Sequence, residues 1–433
     1  MAPIASKVTA GLTGATLALT VSTASASECH PPVPPDQMTL TFSDDFTGGT
    51  LDKRKWNTHP RNLGTINGEP QVYVPDAYEM MPEGGIRLRA DRRPFEGHRF
   101  TSGEITTAGA FYQTYGHFEI KARLPAVNGA WPAFWLLNED GAWPPEIDVL
   151  EYIYQPWGKA ITPRNQPYAH FGVFWPINSP KTLWKPKNNS PYSNNSEVYL
   201  TNNYTRTPLQ PWKIDGDFTK EYHIFAVDWR PQELSFSVDG VEAMCWVEGP
   251  DTLDTVPKTP MYLIANLALS KAAPDPAGWA GQVQIDQPFP IYMDIAYVKA
   301  YQFMDVPVVP PPPLVIGIPK VTREQVRPGE TLKVETRFIA GTADQVVKHI
   351  DVVVTSFDGK QRLAQIPFNG AITIPAGQSR PFSFHYTVPA TLADGLYSIG
   401  LYASHLTGLA RKDSFVQFQV LRPEEAGGMA GTN

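Results

Sequence analysis

Glu146, Asp148 and Glu151 stand close together in PPEIDVLEYI, residues 144–153, a run that is otherwise apolar and rich in β-branched side chains. Carboxyl groups held side by side can do acid, base and nucleophile work, because their mutual repulsion leaves one protonated next to one ionised. Whether all three can cooperate depends on the element that carries them. On a helix, Asp148 and Glu151 would be neighbours while Glu146 sat far round the cylinder. On a regular strand, Glu146 and Asp148 share a face and Glu151 points to the other. Ile147, Val149, Tyr152 and Ile153 favour the strand, and Pro144-Pro145 suits its entry. A single β-bulge between Asp148 and Glu151 returns the third acid to the face of the first two. Four strand steps then put the two glutamate Cα atoms roughly 13 Å apart. Side chains leaning inward bring the carboxyl groups to about 5–6 Å, the separation at which one attacks an anomeric carbon and the other serves as acid and then base. Asp148 would hydrogen-bond Glu146 and help set which group holds the proton. Spacing alone leaves a solvated acidic face or a calcium cluster open.

The elements around this strand have the same character. The chain has 433 residues, enough for two or three domains with cores of their own. From about residue 38 to 302 it alternates in short runs, MTLTFSDDF, GIRLRA, GHFEIKARLP, YHIFAVDWR, ELSFSVDGVE and YMDIAYVKAYQ, each read as a strand between Gly, Pro, Asn and Asp. Many short antiparallel strands imply two sheets packed face to face. Residues 175–215, with PKNNSPYSNN and the aromatics Trp184, Tyr192, Tyr199 and Tyr204, break that rhythm and read as a long loop on the rim of a cleft. VPVVPPPPLVIG, residues 306–317, marks a boundary as an extended proline tract. The following 110 or so residues alternate again, with the pattern and size of an immunoglobulin-like or fibronectin-like sandwich.

The first residues, with Lys7, a small apolar stretch and Ala24-Ser25-Ala26, read as a secretion signal cut after Ala26. That stretch falls short of the roughly 20 apolar residues a spanning helix needs. The expected organisation is therefore a signal at 1–26, a catalytic sandwich at 27–304, a linker at 305–317, an accessory sandwich at 318–423 and a disordered tail at 424–433. Export permits a disulfide, and Cys29 and Cys245 are the two cysteines present; sequence leaves open whether they pair. A net charge of −7 without a basic run argues against a nucleic-acid partner.

The surrounding residues GAWPAFWLLNEDGAWPPEIDVLEYI closely resemble the signature of glycoside hydrolase family 16. FSDDF, LDKRKW, NGEPQVY, SGEITTAGAF, YGHFEIKARLP and PMYLIANLAL follow in family order, so the resemblance covers most of residues 38–302. It implies an all-β fold, a jelly roll whose concave sheet forms an open cleft, with the immunoglobulin-like domain behind it. Position by position it makes Glu146 the nucleophile, Asp148 its partner and Glu151 the acid/base. The longer E-x-D-x-x-E form looks like the laminarinase, agarase and carrageenase side of the family. Trp131 and Trp135, four apart and so on one strand face, would line the cleft, with a core position the lesser alternative for Trp135. Asn62 and Glu69 fall where the family often contacts sugar, and His170 is either a cleft histidine or a structural one. Asp45 and Asp294 loosely match a structural calcium site of the family; no other cofactor is implied.

The resulting expectation is a secreted, monomeric, endo-acting retaining hydrolase of β-1,3- or mixed β-1,3/1,4-glucan, exopolysaccharides included, its partner a polysaccharide and no membrane. Two rival readings stand beside it. One keeps the residues and changes the substrate to a galactan or the acceptor to a sugar; the other is a carbohydrate-binding protein without catalysis, against which the intact acid set counts.

Overall fold

The computed structural model describes residues 29–59, 67–154, 168–174, 200–201, 217–248, 255–278, 280–357, 361–405 and 412–421. The signal expected at 1–26, Asn62, most of the 175–215 loop and the tail at 424–433 lie outside the described residues. Among those described, regular structure is strand apart from one turn of 3-10 helix at Pro35–Gln37, and no helix is long and apolar enough to cross a membrane.

The architecture is all-β, a jelly-roll sandwich followed by a second, smaller one. One sheet of the first sandwich has eight strands, with Gly116–Arg123 and Ile291–Phe303 at its centre. The other has six, in the order Leu200–Thr201, Tyr168–Phe174, Glu146–Ile153, Ala130–Asn138, Met261–Leu269 and Glu104–Thr106. Period-two burial builds the core between them: Phe118, Ile120 and Ala122 from the first sheet meet Phe134, Leu136, Ile147, Leu263 and Leu267 from the second. The opposite face of the six-stranded sheet is left for Trp131, Trp135, Glu146, Asp148 and Glu151.

Two local readings change. ELSFSVDGVE is a hairpin and not one strand: Glu233–Val238 and Val241–Val247 are joined by Asp239 (φ 51°) and Gly240 (φ 76°). Both φ values are positive, as a two-residue type I′ turn requires, and Asp-Gly is a residue pair that tolerates it. Leu200–Thr201, assigned to the long loop, pairs with His170 and Phe171 at the edge of the six-stranded sheet.

The disulfide left open by sequence is present. Cys29 and Cys245 are bonded, with Cα atoms 5.7 Å apart, and tie the segment before the first strand to the hairpin's outer strand.

The second sandwich packs sheets of four and five strands around Val334, Phe338, Val352, Ile399, Leu401 and Phe418. Its first strand, Leu314–Ile316, lies inside the stretch that proline content assigned to the linker, and pairs with Phe338–Ala340. Leu-Val-Ile is itself a strand signal, which the four prolines before it masked.

Candidate active site

The acid-bearing strand Glu146–Ile153 has the bulge its spacing requires. Against the neighbouring strand, Glu151 pairs with Ala133 and Leu150 with Phe134, but Trp135 pairs with Asp148, so Val149 is the inserted residue. The strand on the other side shifts at the same place, between His170 and Gly172. Ile147, Val149, Leu150 and Tyr152 all join the core; consecutive Val149 and Leu150 pointing inward are the signature of the bulge. Glu146, Asp148 and Glu151 are thereby brought to one face, with Asp148 buried and both glutamates partly exposed.

Glu151 is held from two strands. Trp131 Nε1 donates to its Oε1 at 2.9 Å, and His170 Nδ1 lies 2.7 Å from its Oε2. His170, buried and opposite Glu151 in the sheet register, is therefore part of the acid cluster. Glu146 is hydrogen-bonded to Asp148 and to Trp143, an exposed indole whose ring lies 5.7 Å from that of Phe174. Burial, with the charge of Glu151 beside it, pushes Glu146 up to about 8, against the lowering effect of its Trp143 and Asp148 bonds. The charge of Glu151 is the second cause of that rise, so the two carboxyls are electrostatically coupled. Gly172 faces Asp148 across the sheet, and a Cβ there would come within 2.8 Å of Asp148 Oδ2. Glycine at this position leaves room for the carboxylate.

A second group of polar residues continues the same face toward the Glu104–Thr106 edge. The sheet register aligns Glu104, Asn266, Ala133, Glu151 and His170 in one row across five strands. Trp135 is partly exposed on this face, not core, and its Nε1 donates to Asn266 Oδ1 at 2.8 Å. Asn266 Nδ2 donates to Tyr73 Oη at 2.8 Å, and Gln71 Nε2 donates to Glu69 Oε2 at 2.7 Å. Burial raises Glu69, with Glu151 adding to the rise, and pushes Glu104 up to about 8, with Glu69 adding to it. Glu69 is thus electrostatically joined to the acid cluster.

Sequence reasoning missed Trp143, Gly172, Gln71, Tyr73, Glu104 and Asn266. Asn266 had a visible signal: it is the sole polar residue in the strand Met261–Leu269, which is buried along its whole length. A buried amide needs partners, and here they are the indole and phenol of the site.

The calcium ligands proposed from sequence do not come together. Asp294 is clamped by two guanidiniums, with Arg87 Nε donating to its Oδ1 at 2.6 Å and Arg123 to its Oδ2. The two guanidiniums already supply the positive charge that an ion would bring to this carboxylate. Asp45 turns its carboxylate to Thr47, whose Oγ1 donates at 2.8 Å. These residues do not fit a calcium ion, and no step of the chemistry below involves one. Among the described residues the only cluster of three metal-type side chains is Cys29, Glu242 and Cys245, and its two sulfurs are in the disulfide.

Residues 69–168 and 188–287 match glycosyl hydrolases family 16. The chain belongs to this family. Among curated relatives, it is 29% identical over 289 residues to endo-1,3-1,4-β-glycanase EglC of Rhizobium meliloti (strain 1021), covering 61% of this chain and 52% of that protein. It is 28% identical over 287 residues to the β-glucanase of Rhodothermus marinus, covering 61% of this chain and 86% of that protein. The chain thus spans about half the length of the first relative and most of the second. Among solved structures, the laminarinase catalytic domain of Thermotoga maritima MSB8 aligns at 24% identity with a TM-score of 0.47, over 62% of this chain and all of that one. In the family 16 match the acid strand lies inside the first matched segment and the Asn266 strand inside the second.

Proposed function

We propose that this protein is a secreted, endo-acting, retaining hydrolase of β-1,3- or mixed β-1,3/1,4-glucan, exopolysaccharides among its substrates. The observation that carries the reading is the bulge at Val149, which gathers Glu146, Asp148 and Glu151 on the open face of the six-stranded sheet. The similarity to the β-glucanase of Rhodothermus marinus and to the endo-1,3-1,4-β-glycanase of Rhizobium meliloti supports the substrate class.

The chemistry needs one proton on the pair of glutamates. Glu151 delivers that proton to the departing glycosidic oxygen while Glu146 attacks the anomeric carbon, forming a glycosyl ester and releasing one part of the chain. Glu151, now a carboxylate, takes a proton from water as the water displaces Glu146, which restores the resting pair. Trp131 and His170 hold Glu151 in place, and Asp148 and Trp143 hold Glu146, so the two groups meet the bond without reorganising. The exposed indole of Trp143 and the partly exposed one of Trp135 offer planar apolar surfaces against which sugar rings stack.

The test is reducing-sugar release from laminarin, lichenan, agarose and κ-carrageenan by the purified protein, beside Glu146→Gln. Glucan cleavage that disappears in the variant is expected. Cleavage of the galactans alone would move the substrate class, and undiminished release by Glu146→Gln would remove the catalytic assignment.

A further inference from the structure

We infer that the second sandwich is a positioning element of the active site, and that Phe357 and Leu396 act through Val72 and Val74 to fix the segment that carries Glu69, Gln71 and Tyr73. The inference rests on the glucan-hydrolase reading for its effect on substrate, but its structural part stands without it.

The segment from Glu69 to Val74 is used on both faces. Gln71 and Tyr73 turn toward the site, where Gln71 Oε1 accepts from Leu269 N at 3.0 Å and Tyr73 Oη accepts from Asn266. Val72 and Val74, alternating with them, turn the other way. There they form a separate apolar cluster with Ala77 of the first sandwich and Phe357 and Leu396 of the second. All five are buried, and none belongs to the main core of either sandwich. Phe95 closes the cluster, its ring 5.7 Å from that of Phe357 at right angles, and Glu96 Oε1 accepts from Leu396 N at 3.3 Å.

Two further contacts reach the same side of the molecule. Lys53 and Glu324 form an ion pair across the sandwiches. Gly109, at φ 84°, lies so close to the chain entering the second sandwich that a Cβ would come within 2.9 Å of Ile316 O. Gly109 sits in the turn whose Ala108 and Tyr112 pack with Trp135. Each contact therefore backs a segment that ends at the Glu104 side of the sheet face. A three-residue strand, Gln71–Tyr73, paired among the described residues only with Phe100–Ser102, has little support of its own. The second sandwich supplies it, and the sugar units lying on that side of Glu151 meet a fixed Glu69.

The experiment compares Phe357→Ala, Phe357→Leu and Glu96→Gln with the unaltered full chain. The readouts are kcat and KM on β-glucan oligosaccharides of increasing length, and amide hydrogen exchange over residues 71–74. Phe357→Ala should raise KM about tenfold on the longer oligosaccharides with kcat little changed, a displacement effect and not a chemical one. It should also speed exchange at 71–74. Phe357→Leu should restore most of both, and Glu96→Gln should shift them weakly in the same direction without touching any apolar packing. Unchanged exchange and unchanged KM in Phe357→Ala would overturn the inference, as would a global rise in exchange in Phe357→Ala with no local rise in Glu96→Gln. If the unaltered chain cleaves no glucan, the substrate reading fails, and local exchange at 71–74 still decides for or against the positioning role.

Discussion

Glu151 and Glu146 differ in what surrounds them. Glu151 is held by Trp131 and His170, whereas Glu146 is pushed up to about 8 by burial and by the charge of Glu151. Catalysis as proposed needs one proton on the coupled pair, so activity should fall as pH rises through about 8, where the proton that burial favours on Glu146 is lost. Trp143→Phe removes a bond that lowers Glu146, so the alkaline limb of kcat/KM should move to higher pH. A limb that stays put or moves down would show that Trp143 does not tune the pair. Replacing Glu151 by Gln keeps the shape and removes the acid; kcat on glucan should drop by about 10²–10⁴. A glucoside with a leaving group that needs no protonation should be largely spared in its first step, which a burst measurement would read.

At the scale of the element, the acid strand was legible because its residues allow one solution. Three acids at 146, 148 and 151 in an apolar run fit one face only with a bulge, and the register shift at Val149 is that bulge. The hairpin at Asp239-Gly240 is equally legible in its residues, an Asp-Gly pair between two alternating runs. Contacts between distant strands were not legible. Nothing near Asp294 in sequence announces Arg87 and Arg123, and they turn a presumed metal ligand into an ion-pair centre. His117 is a similar case in the eight-stranded sheet. It pairs in register with Asp228 and bonds it at 2.6 Å, with Glu119 at 3.3 Å. Burial alone would lower this imidazole, but the two carboxylates outweigh it and hold it at about 9, above its ordinary 6.5. A raised histidine stabilises the fold fully below pH 6.5 and loses that contribution as pH climbs through about 9. At 1.36 kcal/mol per pH unit this is about 3 kcal/mol. The melting temperature of His117→Gln should therefore fall furthest below the parent near pH 6, with the gap narrowing above pH 9; a gap independent of pH would contradict the charge-pair account.

For the molecule as a whole, two long-range ties matter, the disulfide and the packing of the second sandwich on the first. Cys29–Cys245 closes a loop of 216 residues, and loop-closure entropy sets an upper bound of about 5 kcal/mol for its contribution. Reduction should lower the melting temperature while leaving kcat near its native value at low temperature, since the bond lies on the hairpin of the eight-stranded sheet and not on the acid face. Neither tie could be read from sequence: two cysteines can pair or remain free, and an accessory domain separated by prolines looks independent until Val72, Phe357 and Leu396 are seen in one cluster. Glu146 is, in the proposed reaction, the group that becomes bonded to sugar. The most direct test is to trap that bond with a 2-deoxy-2-fluoro-β-glucosyl fluoride of a β-1,3-linked disaccharide, then map the added mass by peptide sequencing. The label is predicted on Glu146; a label on Glu151, or turnover with inversion at the anomeric carbon and no adduct, would contradict the account.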